Sequence, residues 1–241
     1  MDLGIEGKVA LVTAGSKGLG RATALALAAE GVRVMLSGRD VSTLAATRDE
    51  VASLGASVDV RAGDVTDPDE PARLVAATVE RFGGLDILVA NAGGPPPGRA
   101  LDLGDEQLEA ALNANLLTSV RLVREALPHM RPAGWGRICC ITSYTVKQAA
   151  PMLALSNTAR TGLWAWIKTA AQDLASESSG ITLNMVCPGP HATDRMKQLG
   201  GAGVMGDPSD FGAVTAFLCS AQAGFVNGSA IVVDGGSTLA L

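Results

Sequence analysis

Apolar runs of strand length alternate along this chain with intervals long enough to form a helix. The runs are rich in valine, isoleucine and leucine and lack the polar alternation of a strand that faces water on one side. Strands covered on both faces are typical of parallel sheets, in which right-handed helical crossovers pack against the two sides. The pattern predicts a single α/β domain over residues 1–241, built on a doubly wound, parallel, seven-stranded sheet with helices on both faces.

The same pattern gives a position for each element. Strands are expected at residues 8–15, 32–38, 57–64, 85–93, 136–143, 181–189 and 229–236. Helices are expected at about 18–30, 41–54, 68–82, 105–130, 153–178 and 208–220. Two Pro/Gly-rich breaks, 91–100 and 188–208, follow strands. They are therefore expected at the carboxyl edge of the sheet, where open α/β folds bind ligands.

The bulk composition restricts the classes of partner. The chain has a formal net charge of −5, which disfavours a nucleic-acid or anionic-membrane partner, because phosphate binding depends on clustered Lys and Arg. It has no apolar run of ~18 residues, and its opening MDLGIEGKVA lacks the apolar core of a secretory signal. We expect a cytoplasmic protein that acts on a small molecule, with no nucleic-acid or membrane partner.

The four cysteines show no spacing typical of metal ligands. They are Cys139, Cys140, Cys187 and Cys219. Cys139 and Cys140 are adjacent in an apolar strand, so strand alternation sends their side chains to opposite faces of the sheet. We expect reduced, buried thiols and no metal site.

A glycine-rich segment, TAGSKGLG at residues 13–20, follows the first predicted strand and opens the first helix. Its glycines let the backbone turn sharply and approach a diphosphate with no Cβ in the way. The N-terminus of the helix adds free amide groups and a positive dipole potential. This context predicts a Rossmann-type dinucleotide site. The residues assigned to it are Gly15, Ser16, Lys17, Gly18, Leu19 and Gly20.

The end of the second strand, MLSGRD, bears on the choice of dinucleotide. An acidic residue there binds the ribose 2′-hydroxyl of NAD, whereas a nearby arginine accommodates the 2′-phosphate of NADP. Arg39 and Lys17 supply positive charge at this point, and Asp40 is placed to cap the following helix. A solvated Arg39 without a ligand is the alternative. These charges favour NADP(H) over NAD(H).

These motifs resemble those of the short-chain dehydrogenase/reductase family, and the likeness to 3-oxoacyl-acyl-carrier-protein reductases in that family covers essentially the whole chain. The family's glycine motif is matched at 13–20, with alanine at its first glycine. The resemblance implies further cofactor contacts in GDV at 63–65, in NAG at 91–93, and in the segment that holds the nicotinamide carboxamide. The residues so implied are Asp64, Val65, Asn91, Ala92, Gly93, Pro188, Gly189 and Thr193.

The resemblance also implies catalytic residues, with one departure. Asn115 matches the asparagine that holds a water of the proton relay, and Ser143 matches the serine that binds the substrate oxygen. The family's Tyr-x3-Lys falls on Ser156 and Arg160. Arg160 can still bind the nicotinamide ribose, but a serine hydroxyl is a far weaker acid than a phenol.

Three other residues are candidates for the missing proton donor. Lys147 lies in the loop after Ser143, and a desolvated lysine can titrate in the catalytic range. His191 follows the Pro188-Gly189 turn and has a suitable intrinsic pKa. Tyr144 is the only tyrosine, but an extended backbone would point it away from the side chain of its neighbour Ser143. Each can equally be an ordinary loop residue.

Three functions remain open at this point. The first is an NADP(H)-dependent oxidoreductase of a carbonyl or secondary alcohol, which family analogy alone narrows to a 3-oxoacyl type, with an atypical relay. The others are a catalytically silent NADP(H)-binding protein and a non-redox enzyme. The substrate-side loop, about 190–207, is short and glycine-rich, so we expect an open site or a loop that orders on binding. The family also implies a homo-oligomer, dimer or tetramer, formed through the helices at 105–130 and 153–178.

Overall fold

The computed structural model describes residues 2–200 and 203–240. Seven parallel strands form one sheet in the order β3-β2-β1-β4-β5-β6-β7. The strands are β1 Val9–Val12, β2 Arg33–Gly38, β3 Val58–Ala62, β4 Ile87–Ala90, β5 Gly136–Ile141, β6 Ile181–Pro188 and β7 Ala230–Val233. The predicted fold class is confirmed, and the predicted strands are each present within their expected ranges.

Helices connect the strands and cover both faces of the sheet. They are α1 Gly18–Ala29, α2 Val41–Ser53, α3 Glu70–Phe82, α4 Asp105–Leu112, α5 Thr118–Met130, α6 Ala154–Ser176, α7 Asp194–Gln198 and α8 Pro208–Leu218. A π-helical segment, Asn113–Leu117, joins α4 to α5. Short 3-10 turns lie at Ala100–Asp102, Arg131–Ala133 and Tyr144–Val146. In the part of the chain so described, no helix is both long and apolar enough to cross a bilayer.

The sheet separates two apolar layers. Side chains of α3, α5 and α6 pack on one face, and side chains of α1, α2 and α8 pack on the other. Cys139 belongs to one layer and its neighbour Cys140 to the other, as strand alternation predicts. All four cysteines are buried and unpaired by disulfides. Cover on both faces explains why the strand sequences show no polar alternation.

Two elements differ from the sequence prediction. The helix expected at 105–130 is interrupted by the π-helical segment, because its side chains bond to the loop after β3: Asn113 Nδ2 donates to Thr66 O at 2.9 Å, and Thr118 Oγ1 lies 3.0 Å from Val65 O. The loop at 190–207 contains α7, which Thr193 caps by accepting from Met196 N at 3.3 Å. The sequence analysis placed no helix in this loop, because its glycine-rich half hides the short capped turn of α7.

From β1 to β3 each new strand is added on one side of β1, and the chain then crosses back so that β4 pairs in parallel with the other side of β1. Chain segments leaving these two strands diverge to opposite sides, and the crevice between them is the usual ligand position in open α/β sheets. Thr13 and Asn91 lie directly beyond the two strands and hold the segments together. Asn91 N donates to Thr13 Oγ1 at 2.8 Å, and that hydroxyl donates to Asn91 O at 2.7 Å.

Ala14 has a left-handed backbone, with φ of +46°, at the start of the glycine-rich turn. This conformation costs a residue with a Cβ ~1–2 kcal/mol, while glycine gives the unfolded chain ~0.4–1 kcal/mol of extra entropy. Replacing Ala14 by Gly should therefore raise the free energy of unfolding by up to about 1 kcal/mol in urea titrations. Ser178→Gly is the matched control, because Ser178 is exposed, has φ of +49° and lies far from the turn. A loss of stability in Ala14→Gly would contradict the strained, left-handed backbone conformation at Ala14.

Candidate active site

A cleft of about 510 Å³ opens at the carboxyl ends of β1, β2, β3 and β4. Its walls come from the glycine-rich turn, the ends of β2 and β3, the loop after β4, and helix α4 with the π-helical segment. The polar and charged side chains among its lining residues are Ser16, Lys17, Ser37, Arg39, Asp64, Thr66, Gln107 and Asn115. Ala92 and Gly93 of the NAG segment and Val65 also line it. With Ser16, Lys17, Arg39 and Asp64, seven of the sixteen residues assigned to the cofactor therefore line the cleft.

The glycine-rich turn brings backbone amides to the floor of this cleft. Gly15 N donates to Ser37 O at 2.8 Å, which fixes the turn against β2. At Gly20 a Cβ would overlap the Ala14 carbonyl and lie 2.9 Å from Asn91 Nδ2, so only glycine fits. Lys17 precedes α1 and does not cap it with its side chain. The amides of the first turn of α1 therefore stay available to a diphosphate.

The end of the cleft next to β2 and β3 carries the charged side chains of Lys17, Arg39 and Asp64. Arg39 is largely exposed, with Nη1 3.9 Å from Asp64 Oδ2. Asp40 Oδ1 accepts from Ser42 Oγ at 2.6 Å and from Thr43 N at 2.8 Å. These bonds lower the pKa of Asp40 to about 2 and confirm it as the cap of α2. Ser37 Oγ is buried and has no hydrogen-bond partner among the described residues.

Asn115 lies in the middle of the π-helical segment and faces the same cleft. It is 5% exposed, and its Nδ2 lies 3.5 Å from Ala111 O, at the limit of a hydrogen bond. π-helical turns are often found at functional sites, because the extra residue exposes backbone groups that an α-helix would pair. The sequence identified Asn115 but gave no sign of the widened turn.

Ser143 and Ser156 come from the two ends of one loop. Ser143 follows β5 and begins the 3-10 turn at Tyr144–Val146, where its Oγ accepts from Thr145 N at 3.2 Å. Ser156 is 4% exposed in the first turn of α6. Helix α6 packs against both the 3-10 turn and the π-helical segment. The three assigned side chains, Asn115, Ser143 and Ser156, therefore sit on elements that meet at this end of the sheet.

Arg160 binds Ser156 directly. Its Nη1 donates to Ser156 Oγ at 2.6 Å across one turn of α6. Removal of the guanidinium from water lowers the pKa of Arg160 to about 10, with repulsion from Arg195 adding to the effect. The side chain therefore remains cationic at neutral pH. It keeps a positive charge beside the Ser156 hydroxyl.

Arg195 was missed by the sequence interpretation. It lies in α7, and its Nη2 donates to Pro95 O at 2.6 Å, which ties the loop after β6 to the loop after β4. Two residues earlier, the methyl group of Thr193 lies beside Gly18 of the glycine-rich turn, 3.5 Å from the position of a Cβ there. The one sequence signal was an arginine within an otherwise glycine-rich segment. Pro188 and Gly189 end β6, and Gly189 N donates to Val233 O at 2.9 Å.

The structure places two of the three substitute proton donors, His191 and Lys147, in different surroundings. His191 is 4% exposed, with Nδ1 3.1 Å from Gly189 O and its ring edge-on to Phe211, so its side chain serves packing beside α8. Lys147 lies in the loop after Ser143, and its Nζ is 4.2 Å from the Trp164 ring centroid. Burial raises the pKa of the Cys187 thiol, and the positive charges of Lys147 and Arg160 act in the opposite direction. Both cations therefore lie near Cys187, at the carboxyl end of β6.

The comparisons with known proteins agree with this geometry. Residues 13–238 match a family model described as enoyl-(acyl carrier protein) reductase. Over 247 residues the chain is 31% identical to dehydrogenase/reductase SDR family member 4 from Sus scrofa, covering 97% of this chain and 88% of that protein. The chain belongs to the short-chain dehydrogenase/reductase family.

Other members of this family are similar over the whole chain. The 3-oxoacyl-[acyl-carrier-protein] reductase FabG from Vibrio cholerae is 32% identical over 245 residues, covering 97% of this chain and 98% of that protein. The structure of L-sorbose reductase from Gluconobacter frateurii, complexed with NADPH and L-sorbose, is 30% identical, with a TM-score of 0.92 and full coverage of both chains. The short-chain dehydrogenase/reductase fold found here is thus shared by reductases of different carbonyl compounds.

Thr118→Val tests the link between the π-helical segment and the cleft. The Thr118 hydroxyl lies 3.0 Å from Val65 O and 2.9 Å from Asn113 O and is buried. Its loss should lower the free energy of unfolding by ~1–3 kcal/mol, because the buried Val65 carbonyl loses its donor, and should weaken dinucleotide binding. Thr78→Val is the control, since that buried hydroxyl makes an ordinary bond to Leu74 O within α3. Denaturant titration and cofactor titration measure the two effects. Unchanged cofactor affinity in Thr118→Val would separate the π-helical segment from the site.

Proposed function

We propose that this short-chain dehydrogenase/reductase is an NADP(H)-dependent oxidoreductase that transfers a hydride between nicotinamide and a carbonyl or secondary alcohol through an atypical proton relay. The proposal rests chiefly on the Arg160–Ser156 hydrogen bond of 2.6 Å. This bond joins a hydroxyl to a cation at the two positions onto which the family resemblance maps the tyrosine and lysine. We take Ser156 and Arg160 to replace that pair.

The residues present fit a bound dinucleotide. Uncapped amides at the start of α1, a turn at Gly20 that excludes a Cβ, and the unpartnered buried hydroxyl of Ser37 all face or border the cleft. Arg39 and Lys17 supply the positive charge that a 2′-phosphate requires, while the carboxylate of Asp40 is engaged in capping α2. These features support NADP(H) over NAD(H), with Asp64 and Val65 beside the adenine and Asn91 to Gly93 beneath the nucleotide.

The nicotinamide end would be held by Arg160, which can donate to ribose hydroxyls, and by the segment Pro188, Gly189 and Thr193. The bound cofactor supplies or accepts the hydride. Ser143 then holds the substrate oxygen, and Ser156 donates a second hydrogen bond to it. As negative charge develops on that oxygen, the guanidinium of Arg160 stabilises it through Ser156, an electrostatic contribution that costs little reorganisation because the pair is preformed.

The proton itself must come from a group other than Ser156 or Arg160. A serine hydroxyl is too weak an acid, and a guanidinium with a pKa of about 10 releases its proton poorly at neutral pH. We assign this step to Lys147 or to a water bound at Asn115. Lys147 is positioned by its contact with Trp164 and can deliver a proton from the loop that flanks Ser143.

A catalytically silent NADP(H)-binding protein is the second candidate. It is favoured by the absence of a phenol at Ser156, since Tyr144, the only tyrosine of the chain, lies in the turn after β5. In that case the cleft would bind the cofactor and the protein would act as a subunit or sensor. Carbonyl substrates of the 3-oxoacyl type, cytoplasmic location and assembly into dimers or tetramers through α5 and α6 stay predictions from the family resemblance.

Arg39→Gln tests the cofactor preference. Loss of one charge-assisted contact to the 2′-phosphate should weaken NADPH binding about 10- to 100-fold and leave NADH binding unchanged. Fluorescence titration with each dinucleotide measures the two dissociation constants. Arg48→Gln is the matched control, because Arg48 lies on the adjacent helix α2 and pairs with Asp49. Equal losses for NADPH and NADH, or tighter native binding of NADH, would contradict the preference.

NADPH oxidation with a panel of ketones and β-ketoacyl thioesters tests the relay. Lys147→Met should lower kcat about 100-fold, the typical contribution of a general acid, with little effect on NADPH binding. Lys168→Met is the control, since Lys168 is an exposed lysine of α6. The native protein should oxidise NADPH with at least one member of the panel, without the double change Ser156→Tyr/Arg160→Lys. Turnover that appears only in the double variant, with tight NADPH binding in the native protein, would establish the silent alternative instead.

A further inference from the structure

Three segments that bound the substrate side contain cations but no acidic residue, although the chain as a whole is acidic and Asp102, Asp194 and Asp234 lie just beyond them. Asp and Glu number 24 against 19 Lys and Arg. The segments that bound the substrate side, residues 87–101, 141–172 and 181–193, contain neither Asp nor Glu. The cations they contain are Arg99, Lys147, Arg160 and Lys168. Arg99 pairs with Asp102 at 3.8 Å, and Lys168 lies beside the start of β6 at the opposite edge of the sheet. Lys147 and Arg160 remain at the carboxyl edge, where their positive potential favours an anionic ligand.

Two arginines at this edge have no acidic partner. Within residues 2–200 and 203–240, no carboxylate forms an ion pair with Arg160 or Arg195 at 4.0 Å or less. Each guanidinium has five N–H groups. The hydrogen bonds found are a single one for each, to Ser156 Oγ and to Pro95 O. Repulsion from Arg195 adds to the fall in the pKa of Arg160, so the two charges lie within electrostatic reach of each other. An anion between them would relieve that repulsion.

Three loops join above this point to form an apolar rim. Arg195 binds Pro95 O, and Gly98 N donates to Met152 O at 2.7 Å, so the loops after β4, β5 and β6 are held together. Large apolar side chains remain exposed on them. These are Leu101, Met152 and Leu199. A rim of apolar side chains beside a cationic floor suits a ligand with one charged end and an apolar body.

We propose that the substrate carries a carboxylate, which Arg195 binds at the substrate side of the cleft while the charge of Arg160 adds to the attraction. This inference rests on the proposed function, because it names the class of substrate for the same site. A carboxylate is favoured because its planar pair of oxygens matches the fork of a guanidinium. Arg195 is thus a specificity-determining residue that recognises the acid group away from the reacting carbon. The diphosphate of the cofactor is the competing anion, and the test separates the two.

The test compares carboxylic acids with their uncharged amides. Isothermal titration of NADP⁺-saturated protein uses acetate, butanoate, 2-oxobutanoate and acetoacetate, each against the corresponding amide. At least one acid should bind 10-fold or more tightly than its amide, since charged hydrogen bonds are roughly that strong. Binding is measured directly, so a catalytically silent protein would still give this result. Failure of the proposed function would show instead as absent hydride transfer with intact acid binding.

Arg195→Gln is the deciding variant. This variant should lose the native preference of at least 10-fold for the acid over the amide. Its affinity for NADPH should stay unchanged. Lys197→Gln is its control, because Lys197 lies on the same short helix, is exposed and pairs only with Asp194 at 3.3 Å. Equal binding of acids and amides by the native protein would overturn the proposal. So would an Arg195→Gln variant that loses NADPH affinity but keeps the acid preference, which would assign Arg195 to the diphosphate.

Discussion

The pair of hydrogen bonds between Thr13 and Asn91 holds the two central strands in register where their chains part. Thr13 leaves toward α1 on one face of the sheet, and Asn91 leaves toward the loop of the NAG segment. The bonds of 2.7 and 2.8 Å are buried or half-buried, so they are little weakened by water. Asn91 also approaches Gly20, and so the same residue fixes the start of α1. The position of the glycine-rich turn relative to the loop after β4 therefore depends on the Thr13–Asn91 hydrogen bonds.

Charge is distributed unevenly around the cleft that follows. The adenosine end combines Arg39 and Lys17 with Asp64, so positive charge there is partly balanced. The end nearer α6 and α7 has Arg160, Arg195 and Lys147, and within the described residues no carboxylate forms an ion pair with any of the three. Under the proposed function, the hydroxyl of Ser156 is a weaker acid than a phenol, and the Arg160 cation that it contacts favours negative charge on a bound oxygen.

The sequence was informative where a local pattern determines structure. Strand-length apolar runs identified the sheet, because cover on both faces suppresses polar alternation, and the glycine-rich turn identified the cleft. The cap at Asp40 followed from its place before a helix. Contacts between distant segments could not be seen in this way. The π-helical segment is bonded through Asn113 and Thr118 to the loop after β3, and His191 packs edge-on against Phe211 of α8 as well as contacting Gly189 O. Arg195 is held by Pro95 O, about a hundred residues away in sequence.

The π-helical segment also changes the direction in which one continuous helical rod presents its side chains. One additional residue within a turn offsets the residues that follow by about 100° around the axis. Upstream, Gln107, Ala110 and Ala111 line the cleft, whereas downstream Leu122, Val123 and Ala126 pack into the apolar layer. A uniform α-helix would have to present a single stripe along its whole length. The insertion thus lets one rod be a wall of the binding site at its beginning and a buried support of the sheet at its end.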